Sequence, residues 1–175
     1  MLFTETRMGE CASSKYKLKE FKIYFHNDCD SFKSLAVCYR ETTNFKFLDS
    51  LPGMIVFSVS KSTFSSEALK FILLYRKNML SNIDFACMID HMLSRYPDID
   101  IIAGDFNEDG FNMPGNLSSK LLNYEQIVKE PTQIDGRMID QIYISKNVPF
   151  VKTCIIKHIH FSDHDATTCK FEIIK

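Results

Sequence analysis

The sequence predicts an α/β protein built as a layered sandwich of mixed sheets. Apolar runs of strand length dominate the 175 residues, as at 35–39, 54–59 and 68–75. One segment alone, 82–96, carries a long helical period. Strands and helices do not alternate regularly, which separates the pattern from a strict βαβ repeat. A chain of this length is the usual size of one domain, ~100–200 residues. No internal repeat, low-complexity tract or Pro/Gly-rich linker divides it, so the expected domain is 1–175.

The elements follow in order. Phe21, Ile23 and Phe25 alternate with polar residues, the mark of a half-buried strand. Residues 35–39 form a second apolar run, and a turn at Pro52–Gly53 leads into a third at 54–59. Residues 68–75 are apolar on both faces, as a central strand would be. Ser81 offers an N-cap with Asp84 three residues on, and Phe85, Ile89, Met92 and Tyr96 then recur at helical spacing until Pro97. Residues 99–107 are a short buried strand running into a loop, and 108–116 are loop, where Gly110, Pro114 and Gly115 exclude regular structure. Residues 117–124 suit a short helix. Strands are expected at 138–145, 151–159 and 167–174, with a polar loop at 161–165.

Composition narrows the function classes. Hydrophobic residues are 45% and charged residues 25%, which fits a globular chain and not a disordered one. Lys and Arg number 21 against 22 Asp and Glu, so a nucleic-acid partner would have to be held by a local patch. No apolar stretch nears the ~20 residues of a membrane-spanning helix, and no signal peptide is recognised. The six cysteines make no CxxC pair or zinc spacing and lie mostly in apolar stretches, so an intracellular protein, nuclear or cytoplasmic, is expected.

Three places put polar residues where the pattern predicts burial. Gly104-Asp105-Phe106-Asn107 delivers a carboxylate and an amide to the end of an apolar strand, two residues apart, where they can converge on one ligand. A plain strand-to-turn transition is the competing reading. Asp140 shares strand parity with Ile142 and Ile144, a costly place for a carboxylate unless it is paired or at the strand's first residue. Ser162-Asp163-His164-Asp165 sets an imidazole among acids, an arrangement suited to proton transfer, or to a polar turn. Glu5, Asp105, Asp140 and Asp163 together have the hard-oxygen character that suits Mg²⁺.

In the order Thr4-Glu5-Thr6, Tyr75-Arg76, Gly104-Asp105-Phe106-Asn107, Asp140-Gln141-Ile142-Tyr143 and Ser162-Asp163-His164, the chain resembles the endonuclease/exonuclease/phosphatase superfamily. The stretch from Tyr124 to Thr132 resembles most the endonuclease domains of non-LTR retrotransposons and their domesticated relatives. The resemblance implies a DNase I-like four-layered sandwich of two mixed sheets flanked by helices. It implies an Mg²⁺-dependent phosphodiesterase, with Mn²⁺ as a substitute, acting on DNA as an endonuclease. Glu5 and Asp163 would lie at the metal. Tyr75, Arg76 and Asn107 would meet the phosphate. Asp105 would orient the water or protonate the leaving oxygen, Asp140 would orient His164, and His164 would act as base or stabilise the pentavalent state. No membrane and no small-molecule cofactor are implied.

The family's opening strand, ending in an asparagine, has no counterpart before Thr4, so the expected domain lacks its first strand. Lys77 follows Arg76 where the retrotransposon-type relatives often carry proline. The alternative is a catalytically impaired, transposon-derived remnant that at most binds nucleic acid or protein. A phosphomonoesterase or lipid phosphodiesterase of the same superfamily would use the same residues. Lys15, Lys17, Lys19, Lys22 and Lys77 are candidate phosphate contacts, though scattered surface lysines are commoner. A zinc hydrolase reading of His158, His160, Asp163 and His164 competes less well, because the spacing is one residue too long and His158 and His160 share parity with Ile156 as structural histidines would.

Overall fold

In a computed structural model, residues 1–4, 18–26, 35–60, 68–147, 150–157 and 162–173 are described. The chain divides into two compact units, Met1–Tyr75 and Arg76–Lys175. The α/β class holds: strands dominate, with two α-helices among the described residues.

In the first unit, β1 (Leu2–Phe3), β2 (Phe21–His26) and β3 (Leu35–Arg40) form a three-stranded sheet ordered β1-β3-β2. β4 (Asn44–Leu51), β5 (Met54–Ser60) and β6 (Leu69–Tyr75) pair antiparallel in succession. The core joins the two sets: Leu35 and Val37 of β3 cluster with Ile55 and Phe57 of β5 and Leu73 and Tyr75 of β6. Aromatic rings fill the remaining space, with Phe45 stacked on Tyr39 at 4.7 Å and Phe57 on Phe71 at 5.1 Å. β4 does not stand out as a strand in the sequence. A register shift between Phe47 and Asp49 breaks its two-residue alternation, so the outward and inward rows change places mid-strand. Gly53 turns the chain between β4 and β5 with φ +72°, and a Cβ there would strike the Tyr75 carbonyl.

In the second unit, α1 (Asn82–Arg95) begins at the expected cap. Ser81 Oγ accepts the Asp84 amide, and the buried face is Phe85, Ala86, Ile89 and Met92. β7 (Ile101–Asp105) follows. Residues 108–116, expected as loop, hold a single 3₁₀ turn at Gly110–Asn112 and the start of α2 (Gly115–Ser118). The helix expected at 117–124 is α2 followed by a 3₁₀ turn at Ser119–Leu121, after which the chain becomes β8 (Tyr124–Gln126). β9 (Asp140–Ser145) pairs antiparallel with both β7 and β8. β10 (Phe150–Lys157) and β11 (Ala166–Ile173) make an antiparallel hairpin, with residues 162–165 in its connection. Among the described residues no helix is long and apolar enough to cross a membrane.

Candidate active site

β7 and β9 run antiparallel with Ile101 opposite Ile144, Ala103 opposite Ile142, and Asp105 opposite Asp140. That row is apolar until its last pair, where two carboxylates face each other across the ladder. Directly opposed like charges destabilise a sheet unless something compensates them. Asp140 lies on the apolar row and at the first residue of its strand, where it is half-buried and paired, not the exposed residue of the plain reading.

The compensating group comes from the β10–β11 connection. His164 Nδ1 lies 2.9 Å from Asp140 Oδ2. A carboxylate can only accept, so the ring nitrogen donates. The hydrogen bond to Asp140 raises the His164 pKa from 6.5 to about 9. Burial works against this, and the charges of Asp140, Asp105 and Asp163 add to it. At neutral pH the ring is therefore an imidazolium set against two facing carboxylates.

Asp105 is 2% exposed, and Asn107 is brought to it by a turn and not by strand parity. The Asn107 amide donates to Asp105 Oδ1 at 2.8 Å, and Asn107 takes φ +45°. That left-handed conformation is tolerated by asparagine. Its Nδ2 donates to the Arg76 carbonyl at 2.7 Å, which fixes the side chain. Between the two polar residues, Phe106 is fully buried, edge-on to Phe85 at 5.8 Å and 5.5 Å from Tyr143. An apolar plug in the middle of Asp-Phe-Asn thus holds both polar neighbours at the end of the strand.

The Arg76 guanidinium, expected to meet substrate, is 7% exposed and engaged elsewhere. Nη1 pairs with Glu108 Oε2 at 2.8 Å, Nε and Nη2 donate to the Leu80 carbonyl, and the group lies over the Phe85 ring. In this position Arg76 is a structural partner. Its backbone amide donates to Asp105 O and its carbonyl receives Asn107. Tyr75 belongs to the first unit, where its ring is 4% exposed and packed in the core. Asp163 is exposed, and its carbonyl accepts the Ile134 amide. Glu5 lies outside the described residues, as do Lys15, Lys17, His158 and His160.

Two residues that pattern reading does not single out support the site. Gln141, 1% exposed on the opposite face of β9, donates to the Glu108 and Met138 carbonyls and accepts from the Tyr143 hydroxyl. Thr132, fully buried, accepts the Ile139 and Asp140 amides on its hydroxyl. Gln141 shares strand parity with Tyr143, a polar residue on an otherwise apolar strand; Thr132 sits in an irregular stretch and carries no periodic signal.

Ligand atoms of Asp105, Asp140 and His164 all lie within 4.8 Å of one another, a group that could hold a metal ion. The donor chemistry fits a divalent cation through the two carboxylates. The imidazole is committed through Nδ1 to Asp140.

No protein-family model matches the chain, and no curated protein matches it. Solved structures do. The human Nocturnin catalytic domain with bound sulfate anion matches with a TM-score of 0.67 and 14% identity, over 99% of this chain and 80% of that one. D. rerio TDP2 complexed with a single-strand DNA product matches with a TM-score of 0.61 and 15% identity, over 98% and 84%. An endonuclease/exonuclease/phosphatase family protein from Leptotrichia buccalis matches with a TM-score of 0.54 and 15% identity, over 91% and 74%. At such identities the likeness is one of fold, and the chain has the DNase I-like fold of the endonuclease/exonuclease/phosphatase proteins.

Proposed function

We propose that residues 1–175 form one endonuclease/exonuclease/phosphatase domain that hydrolyses DNA phosphodiester bonds internally, in a metal-dependent way. Within that superfamily, the Tyr124–Thr132 stretch favours the retrotransposon-type endonucleases. The observation that carries the reading is the Asp105–Asp140 pair faced by His164. It gathers a buried proton acceptor, an oriented imidazolium and an anchored amide at one strand end. The same fold in TDP2, solved with a single-strand DNA product, supports DNA as the substrate class.

The residues divide the work by their chemistry. The Asp105 carboxylate takes the proton of the attacking water. The His164 imidazolium, held by Asp140, opposes the charge that develops on the phosphoryl oxygens. Asn107 is pinned at its backbone and by one Nδ2–H to the Arg76 carbonyl; its other Nδ2–H, now 3.4 Å from Asp105 Oδ2, is the donor it would turn to the phosphate. A divalent cation on the carboxylates, Mg²⁺ or Mn²⁺, supplies charge neutralisation when bound. In this reading the family resemblance assigns Glu5 and Asp163 to the metal.

Supercoiled plasmid incubated with the protein and Mg²⁺ or Mn²⁺ tests the proposal. Nicking is expected, with EDTA abolishing it. Asp105→Ala and His164→Ala should each lower the rate by on the order of 10²–10⁴. Absence of nicking with either cation, or nicking indifferent to Asp105→Ala, would sink the proposal. Activity on short phosphomonoesters in place of plasmid would move the substrate to a different branch of the same chemistry.

A further inference from the structure

The His164–Asp140 contact joins residues 24 apart in sequence, one opening β9 and the other in the β10–β11 connection. A side chain–side chain bond of 2.9 Å between two such segments needs a common anchor. Thr132 touches both. Its Oγ1 accepts the Asp140 amide at 2.9 Å and the Ile139 amide at 3.1 Å. Its carbonyl accepts the amide of Asp165, one residue past His164, at 2.8 Å, and its own amide donates to the Arg137 carbonyl at 2.9 Å. The next two residues continue the seam: Gln133 bridges to His164, and the Ile134 amide donates to the Asp163 carbonyl.

We propose that Thr132 is the positioning residue of the candidate active site, setting the separation of the Asp140 carboxylate and the His164 imidazole. The proposal rests on the hydrolytic reading of the site for its consequence, but not for its geometry.

The physical case turns on the hydroxyl. It has two acceptor lone pairs, and the two amides occupy both. Thr132 is 0% exposed, so no water can replace the hydroxyl without entering the core. Valine has the same shape and no acceptor. Thr132→Val would take the side-chain acceptor from two amides at the start of β9, the Ile139 one buried and the Asp140 one partly buried, and those groups would have to shift to reach a partner. The shift carries the Asp140 Cα with it. The Asp165 anchor uses the Thr132 backbone and survives the substitution, so His164 stays while Asp140 moves. Serine keeps the acceptor and should hold both.

Two readouts test this on the full chain. The first needs no activity. In ¹H NMR, the His164 Nδ1 proton bonded to Asp140 should give a downfield ring N–H resonance, absent in Asp140→Asn. Thr132→Val should lose or displace it, and Thr132→Ser should retain it. The second is kinetic: Thr132→Val should lower kcat by about 10–100-fold with KM changed less than about twofold, the scale on which supporting hydrogen bonds act. Thr132→Ser should recover most of the rate. Ile89→Ala, a truncation in the core of α1, serves as a control of comparable destabilisation and should leave the resonance in place.

Loss of the resonance in Thr132→Val but not in Thr132→Ser or Ile89→Ala supports the proposal. An unchanged resonance in folded Thr132→Val overturns it. So does an equal loss in Ile89→Ala. If Thr132→Val does not fold, Thr132→Ala takes its place: a displaced resonance there with a retained one in Thr132→Ser supports the proposal, and an unchanged resonance in Thr132→Ala or a displaced one in Thr132→Ser overturns it. If the wild type shows the resonance but never cleaves DNA, the hydrolytic reading fails while the positioning result stands.

Discussion

A single histidine carries the clearest pH signature of the molecule. The Asp140 hydrogen bond holds the His164 imidazolium in place and moves its pKa from 6.5 to about 9. The folded value lies above the ordinary one, so folding favours the protonated ring. This contribution to stability is complete below about pH 6.5 and fades as pH rises through about 9. Titration of the His164 ring by NMR in metal-free protein should therefore give an alkaline midpoint, and Asp140→Asn should bring it back toward the ordinary range. A midpoint near that of an exposed imidazole would contradict the contact. Asp105 and Asp140 were legible because each breaks an apolar strand pattern with a carboxylate, and His164 because it is set among acids. The role of the Arg76 side chain was not. A guanidinium next to a site looks the same in sequence whether it meets a phosphate or Glu108. Only packing over Phe85 decides it.

Among the elements, the turn that ends β7 matters most. Phe106 is buried among Phe85 and Tyr143, and its amide donates to the Ile139 carbonyl. Phe106→Ala removes a ring from between two flanking polar residues. It should cost about 3–5 kcal/mol and lower the melting temperature by on the order of 10 °C in a chain of this size. A calorimetric scan checks it; a change of a degree or two would mean that the ring does not anchor the turn. The start of α1 was legible because Ser81 and Asp84 form a local cap that needs no other element. β4 was not. Its bulge at Phe47–Asp49 is imposed by pairing with β5, and alternation alone cannot show a bulge. β8 likewise exists because β9 offers it a ladder; three residues have no period to read.

For the molecule as a whole, the facing carboxylates imply a stability that depends on cations. A divalent ion bound by the native cluster and not by the unfolded chain stabilises by mass action. At a hundredfold excess over Kd this is about 2.7 kcal/mol, or roughly 5–10 °C in melting temperature at this length. A thermal melt with increasing Mg²⁺ or Mn²⁺ should rise accordingly, reverse with EDTA and vanish in Asp105→Ala. A melt blind to both cations would remove the metal from the reading. The fold itself was accessible from short motifs in order, because those at Tyr75, Asp105 and Asp140 mark the ends of strands, where a sheet collects its polar groups.

The sequence by itself determined the α/β class, the cap of α1, the turn at Gly53 and the identity of the polar residues at the ends of β7 and β9 and beside β11. Each is a local property of spacing and residue type. Tertiary structure alone decided that Asp105 faces Asp140, that His164 comes to compensate them, that Arg76 is spent on Glu108, and that the Thr132 hydroxyl joins two distant segments. The reason is physical. Register, burial and the satisfaction of amides are set between strands far apart in the chain, and a hydroxyl that accepts two of those amides shows no period in the sequence that carries it.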